Sequence, residues 1–318
     1  MQRPLCVFHG SCADGFGAAW VVRKFFNGEC DFHPGVYQDP PPDVNGRIVI
    51  LVDFSYKRDV LLELAKNAWG VLLIDHHKSA AEDLKADDNY IVDFGGYSGR
   101  KDWRRFLECS QMDRWENAQY ARVYSVFDMQ RSGAGMAWDF FFPDDHRPAL
   151  IDRIEDRDLW RFSMPDTRAV QAAVFSYPYD FGVWDALANA DMAKLRTEGE
   201  AIERKHHKDI AELVKSLRRE MIIGGHWVPV ANLPYTLTSD AGHLMCQPYQ
   251  SLNLQGEIVT PPFAGCYWDT PSGRVFSLRS VDGGADVSEI AKQYGGGGHK
   301  NASGFRVPLA ELAERGLL

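Results

Sequence analysis

Short apolar runs alternate with helical patterns from the N-terminus to Gly95. Residues 5–9 read as a strand, 15–26 ("GFGAAWVVRKFF") as a helix, 48–53 ("IVILVD") as a buried strand, 58–66 as a helix and 71–74 as another strand. Strands that are apolar throughout and separated by helices predict a parallel sheet covered on both faces. Ligands of such sheets gather beyond the carboxyl ends of the strands, where His9, Asp53 and Asp75 each stand. Over 97–131 the pattern loosens into a polar, aromatic-rich stretch without a clear period, read as a peripheral insertion or lid. Helical patterns resume over 132–142 and 146–155. A long helix is predicted over 191–220 from Met192, Leu195, Ile202, Ile210, Leu213 and Leu217. Beyond it, "IIGGHWVPVANL", "PFAGCYW" and "RVFSLRSV" read as strands, with helices near 240–246 and 286–294. The predicted class is α/β, with a parallel-sheet domain over 1–190, a linking helix over 191–220 and a smaller α/β domain over 221–318.

Composition narrows the partners. The 318 residues are 45% hydrophobic and 25% charged, as in an ordinary globular protein. A formal net charge of -9 argues against gripping long duplex nucleic acid through a broad basic face. Small anionic substrates stay open if a cation or a local basic pocket receives them. The six cysteines form no CxxC pair, so reduced thiols and a cytoplasmic location are expected. The opening "PLCVFHG" is not expected to be a signal sequence, and no apolar run reaches the roughly 20 residues of a membrane span.

Against that background the stretch "IDHHKSA" is unusual, because an acid and two histidines follow an apolar strand directly. Divalent metals that activate water for attack on phosphorus take oxygen and nitrogen ligands from a rigid frame, ideally with one carboxylate between two ions. The candidates are His9 and Asp14 in "FHGSCADGFGAA", Asp53 in "ILVDFS", Asp75, His76 and His77 in the triplet, and Asp156 or Asp158 in "IEDRDLW". Singly, each has an ordinary structural reading, such as an Asp that forms a turn or caps a helix. Their recurrence at successive strand ends is harder to explain that way. Near the C-terminus, "YGGGGHKNASGF" strips side chains from Gly295, Gly296, Gly297 and Gly298 and adds His299 and Lys300, a pattern suited to an anion cradle. Arg279 in "FSLRSV" is the candidate for a second phosphate contact.

The order "H…CADG", "VDFS", "DHH", "EDRD" and "GGGGHKNASGF" resembles the DHH phosphoesterase superfamily with its C-terminal DHHA1 domain, over nearly the whole chain except about 97–131. The resemblance implies two metal ions, usually manganese, bridged by Asp53. His9 would serve one ion and Asp14 the other, with Asp75, His76 and Asp156 completing the ligands and Asp158 in reserve. His77 would face the substrate phosphate. His299, the glycines and Arg279 would hold the far end of the substrate. One departure stands out: Cys12 occupies the place of the first aspartate in the family's Asp-x-Asp, and a soft thiolate suits manganese poorly.

The activity so implied is hydrolysis of short oligonucleotides or dinucleotides by metal-activated water, with Asp53, Asp75, His76 and His77 at the centre of the chemistry. A short single-stranded oligonucleotide or a dinucleotide is the expected substrate, and a homodimer stays open. Trp103, Trp115, Tyr124, Tyr267 and Trp268 are the aromatic candidates for base stacking. Alternatives are a bisphosphonucleotide phosphatase, a single-strand exonuclease, or a nucleotide-binding module whose metal site has decayed at Cys12.

Overall fold

The computed structural model describes residues 2–10, 12–87, 90–96, 102–116 (backbone alone from 114), 121–247 and 260–318. The chain runs β1 (Leu5–His9), α1 (Ala13–Phe25), β2 (Asp31–Gly35), β3 (Ile48–Val52), α2 (Arg58–Asn67), β4 (Gly70–Asp75), α3 (Lys78–Asp83), β5 (Ile91–Asp93), α4 (Trp103–Glu116) and β6 (Val123–Phe127). The helices α5 (Gly133–Phe141), α6 (Ala149–Asp158), α7 (Thr167–Ser176), α8 (Phe181–Ala188) and α9 (Met192–Leu217) follow. It divides into two compact units, Met1–Glu203 and Arg204–Leu318, and α9 gives residues to both.

The first unit is built on six parallel strands in the order β2-β1-β3-β4-β6-β5. Their side chains alternate between two cores. Cys6, Phe8, Ile50, Val52, Leu72 and Ile74 pack toward α1 and α5, whereas Leu5, Val7, Val49, Leu51, Val71 and Leu73 pack toward α2. This two-sided burial is why the strands carry no polar face. Each fully buried aliphatic chain of this kind contributes about 1.5–3 kcal/mol.

The sequence expectation of a peripheral insertion over 97–131 is corrected by α4 and β6. The strand β6 pairs with both β4 and β5, so it lies inside the sheet. Its neighbour α4 buries Phe106 and Cys109 but also Ser110 and Asp113. The buried polar pair hides the apolar period, and Asp113 is satisfied by Arg122 at 3.0 Å and by the Tyr124 hydroxyl. Residues 97–101 and 117–120 lie outside the described residues. The strand β2, "DFHPG", carries no apolar run because it sits at the sheet edge, where Pro34 is tolerated.

The second unit holds β7 (Arg219–Ile223), β8 (His226–Asn232), α10 (Thr238–Met245), β9 (Ala264–Thr270), β10 (Gly273–Arg279), α11 (Val287–Lys292), β11 (Gly297–His299) and β12 (Ala302–Val307). Its sheet, β11-β12-β10-β9-β8-β7, is antiparallel except for the β8–β9 pair. Val228, Val230, Phe276 and Leu278 pack on one face with Val287 and Ile290 of α11. Ala231, Ala264 and Cys266 pack on the other with Ala241 and Met245 of α10 and Ile210 and Val214 of α9. None of the described helices is long and apolar enough to cross a membrane.

Candidate metal centre

Because β1, β3 and β4 are adjacent and parallel, their carboxyl ends share one edge of the first sheet. His9 ends β1, Asp53 follows β3, and Asp75 ends β4 with His76 and His77 next. Asp53 turns there with φ +54°, a left-handed conformation that costs a side-chain-bearing residue about 1–3 kcal/mol. Its N–H donates to Ile74 O at 2.9 Å, which fixes the turn. Asp14 comes from the first turn of α1. Gly15 permits this approach, since a β-carbon on it would lie 2.3 Å from His9 O. The Gly133 and Ala134 N–H groups, at the start of α5, donate to the Asp14 carboxylate at 2.6 and 2.9 Å.

Three carboxylates converge on one imidazole. His76 Nε2 lies 3.0 Å from Asp53 Oδ1, 3.4 Å from Asp14 Oδ2 and 3.6 Å from Asp158 Oδ2. Ligand atoms of Asp14, Asp53 and His76 fall within 4.8 Å of one another, and so do those of His9, Asp53 and His77. Asp53 belongs to both sets. His9 Nδ1 stands 3.5 Å from Asp53 Oδ2, and neither buried atom makes a hydrogen bond among the described residues.

Two residues of the sequence reading take other places. Asp156, the favoured last ligand, does not join the cluster. Its buried carboxylate accepts from Ser163 N (2.8 Å), Ser163 Oγ (2.6 Å), Met164 N (3.2 Å) and Thr167 Oγ1 (2.5 Å), and so holds the turn after α6. Asp158, two residues on, reaches His76 instead. Asp75 is fully buried and stands in neither ligand set. Its Oδ1 accepts from His76 N at 2.7 Å and pairs with His77 Nδ1 at 2.7 Å, the arrangement of a carboxylate that orients a histidine.

Electrostatics follow from crowding acids around imidazoles in a dry site. Burial disfavours a charged His76, yet Asp53, Asp158 and Asp14 raise its pKa well above the usual imidazole value. Burial alone would raise the Asp53 carboxyl, but the His76 hydrogen bond and the nearby imidazoles hold it well below the usual range. Asp14 is pushed well up by burial and then by Asp53 and Asp158, despite its bonds to α5. Asp158 is raised too, chiefly by burial. Cys12, at the N-terminal end of α1, is raised well above the usual thiol value by burial and by the three acids.

These residues fit a divalent cation. The donor set is oxygen and nitrogen, three carboxylates share a single imidazolium, and buried Asp53 Oδ2 and Asp75 Oδ2 accept no hydrogen bond among the described residues. A bound cation would relieve the like-charge crowding that raises Asp14.

In the second unit, the glycine run is not an open loop. Gly297 to His299 form β11, which pairs with β12, and a β-carbon on Gly296 would lie 2.1 Å from Gly304 O. Gly298 has φ +138° and closes on Ala302 and Ser303. The glycines thus serve close backbone approach. His299 ends β11, and Arg279 ends β10, bonded to Ser277 Oγ at 2.9 Å, Leu278 O at 2.8 Å and Ser239 Oγ at 2.8 Å. Of the aromatic candidates, Tyr124 and Tyr267 are buried and Trp103 packs against the first core, while the side chain of Trp115 lies outside the described residues. Neither Gly133 nor Tyr37 carries a signal legible in the sequence; the Tyr37 ring centroid lies 5.5 Å from that of His9.

No family model matches the chain. It is 25% identical over 353 aligned positions to an uncharacterized protein of Acanthamoeba polyphaga mimivirus, covering all of this chain and 72% of that one. A solved DHH-domain structure, described as a member of the s1p family of ribosomal proteins, aligns over 98% of this chain and 84% of its own, with TM-score 0.52 and 12% identity. A structure of the exonuclease RecJ bound to manganese aligns over 98% of this chain and 88% of its own, with TM-score 0.42 and 14% identity. The parallel sheet and the first of these structural alignments agree: the chain shares the fold of that DHH-domain structure.

Proposed function

We propose that this protein is a metal-dependent phosphohydrolase that cleaves phosphodiester bonds in short oligonucleotides or dinucleotides. The observation that carries the reading is the membership of Asp53 in two adjoining ligand sets, which suits one carboxylate between two cations. Asp14, Asp53 and His76, with Asp158 beside them, would hold one ion, and His9 with Asp53 the other; manganese or magnesium suits these donors. When bound, such ions would polarise the phosphoryl group and lower the pKa of an attacking water.

The chain's own groups have defined tasks in this reading. Asp75 Oδ1 accepts the Nδ1–H of His77, which fixes the ring; with both ring nitrogens protonated, the other would donate to a phosphoryl oxygen. The start of α5 holds Asp14 through two N–H groups and so sets the carboxylate's orientation. Gly133 keeps a side chain out of the space beside Asp53 and Asp14, and Gly15 lets α1 approach the backbone of His9. His299 and Arg279 lie in the second unit, where they would offer cationic or hydrogen-bonding groups to an anion.

The test is hydrolysis of 5'-labelled RNA and DNA oligomers, from dinucleotide upward, in manganese and in magnesium, beside an Asp53→Asn protein. Metal-dependent cleavage that is lost in the variant and fastest on the shortest substrates supports the reading. Cys12 favours a second one. It stands where the resemblance expects a carboxylate and joins neither ligand set, which suits a nucleotide-binding module without turnover. Intact dinucleotide binding without cleavage at any length would select that alternative.

A further inference from the structure

Tyr37 is a half-exposed ring fixed against the candidate centre. It follows β2, and its centroid lies 5.5 Å from His9 and 6.2 Å from His77, at interplanar angles of 61° and 78°. Phe54 backs it at 5.0 Å and 35° and is itself fully buried, whereas Tyr37 remains 42% exposed. Phe54 and the two imidazoles thus pack around part of the ring, and the rest of the residue stays exposed. The preceding residue, Val36, is 46% exposed.

The local backbone is shaped to hold this ring. A β-carbon on Gly35 would lie 2.7 Å from the Phe54 ring, so only glycine lets Phe54 slide under the end of β2. The next turn places Gln38 at φ +73°, a conformation that a side-chain-bearing residue adopts at a cost. Among the described residues with positive φ that are not glycine, Asp53 and Gln38 both flank this corner of the site.

We propose that the exposed ring of Tyr37 stacks on the nucleobase adjoining the scissile phosphate, making Tyr37 a substrate-contacting and specificity-determining residue. The inference rests on the phosphohydrolase reading above and names the part of the substrate that this corner receives. A flat aromatic base matches an exposed ring that packs on Phe54 and lies beside His9 of the proposed ligand set and His77. Stacking of this kind is tolerant of base identity, so it selects for a base rather than for a sequence. A single nucleotide can touch both the ring and the His77 side of the site.

The experiment compares a dinucleotide with an abasic dinucleotide of the same backbone, using wild type, Tyr37→Ala and Tyr37→Phe in manganese. The quantity read is the ratio of kcat/KM for the two substrates. Stacking predicts that Tyr37→Ala lowers this preference about tenfold, mainly through KM, and that Tyr37→Phe restores it. An equal loss on both substrates, or a Tyr37→Phe protein as impaired as Tyr37→Ala, overturns the proposal. Binding of a non-hydrolysable phosphorothioate pair is measured in parallel. If wild type cleaves neither substrate, Tyr37-dependent preference for the base-bearing analogue keeps the stacking and removes the hydrolase reading. Binding that does not depend on Tyr37 removes the stacking as well.

Discussion

Gly133 faces Asp53 so closely that a β-carbon on the glycine would lie 2.5 Å from Asp53 Cβ, and 3.0 Å from Asp14 Oδ2. The start of α5 is therefore packed against Asp53, shared by both ligand sets, and Asp14, a member of one. Nothing larger than hydrogen fits between the helix and the centre.

Gly133→Ala should disturb the centre more than the fold. Overpacking of this kind typically costs about 1–3 kcal/mol, and here it must displace Asp53 or Asp14. Manganese affinity, measured by calorimetric titration, should fall at least about tenfold, while the folded signal in circular dichroism persists. Wild-type affinity in this variant would show that the contact relaxes without moving the acids.

Asp156 and Asp158 should separate into a folding role and a site role. Asp158→Asn should lower metal-dependent activity with little change in urea midpoint, whereas Asp156→Asn should cost about 2–3 kcal/mol of stability through its charged hydrogen bonds. Burial opposes the Asp156 charge, but bonds from Ser163 and Thr167 keep its pKa below the usual carboxylate value. With the folded pKa below the unfolded value of about 3.9, its contribution is present above roughly pH 4 and is lost as pH falls through the folded pKa. The stability gap between wild type and Asp156→Asn, measured at pH 7 and pH 3, should therefore narrow in acid.

Metal binding should release protons. His76 has a raised pKa, and a ligating imidazole must be neutral, so the ion displaces a proton that Asp53, Asp14 and Asp158 now retain. Manganese titrations in buffers of different ionisation enthalpy should report that release, and apparent affinity should rise with pH. For the metal-free protein the sign is opposite: the His76 contribution to stability is full below about pH 6.5 and is lost as pH rises through the raised pKa. A metal-binding heat independent of buffer would contradict this assignment.

The glycine run in the second unit should be intolerant of side chains for packing reasons. A Gly296→Ala protein must move Gly304 O or Phe305, because its β-carbon would lie 2.1 Å from that oxygen and 2.6 Å from Phe305 Cβ. A loss of about 1–3 kcal/mol or more is expected in urea denaturation. Gly283→Ala is the control for crowding: its site is open, although φ +85° carries its own strain.

The sequence by itself determined the parallel sheet of the first unit and the edge where His9, Asp53 and the triplet meet. Apolar runs through β1, β3 and β4 require burial on both faces, and the polar residues come directly after those runs. It left β6 hidden, because α4 buries Asp113 and Ser110 where the period calls for apolar side chains. It also could not choose between Asp156 and Asp158, which lie about 200° apart around the end of α6. Only the packing of that helix turns Asp158 toward His76 and Asp156 into its own following turn. Tyr37 and Gly133 are further cases: β2 lies beside β1, and the start of α5 lies against Asp53. Those contacts join segments distant in the chain, and steric fit between such segments leaves no periodic trace in either one.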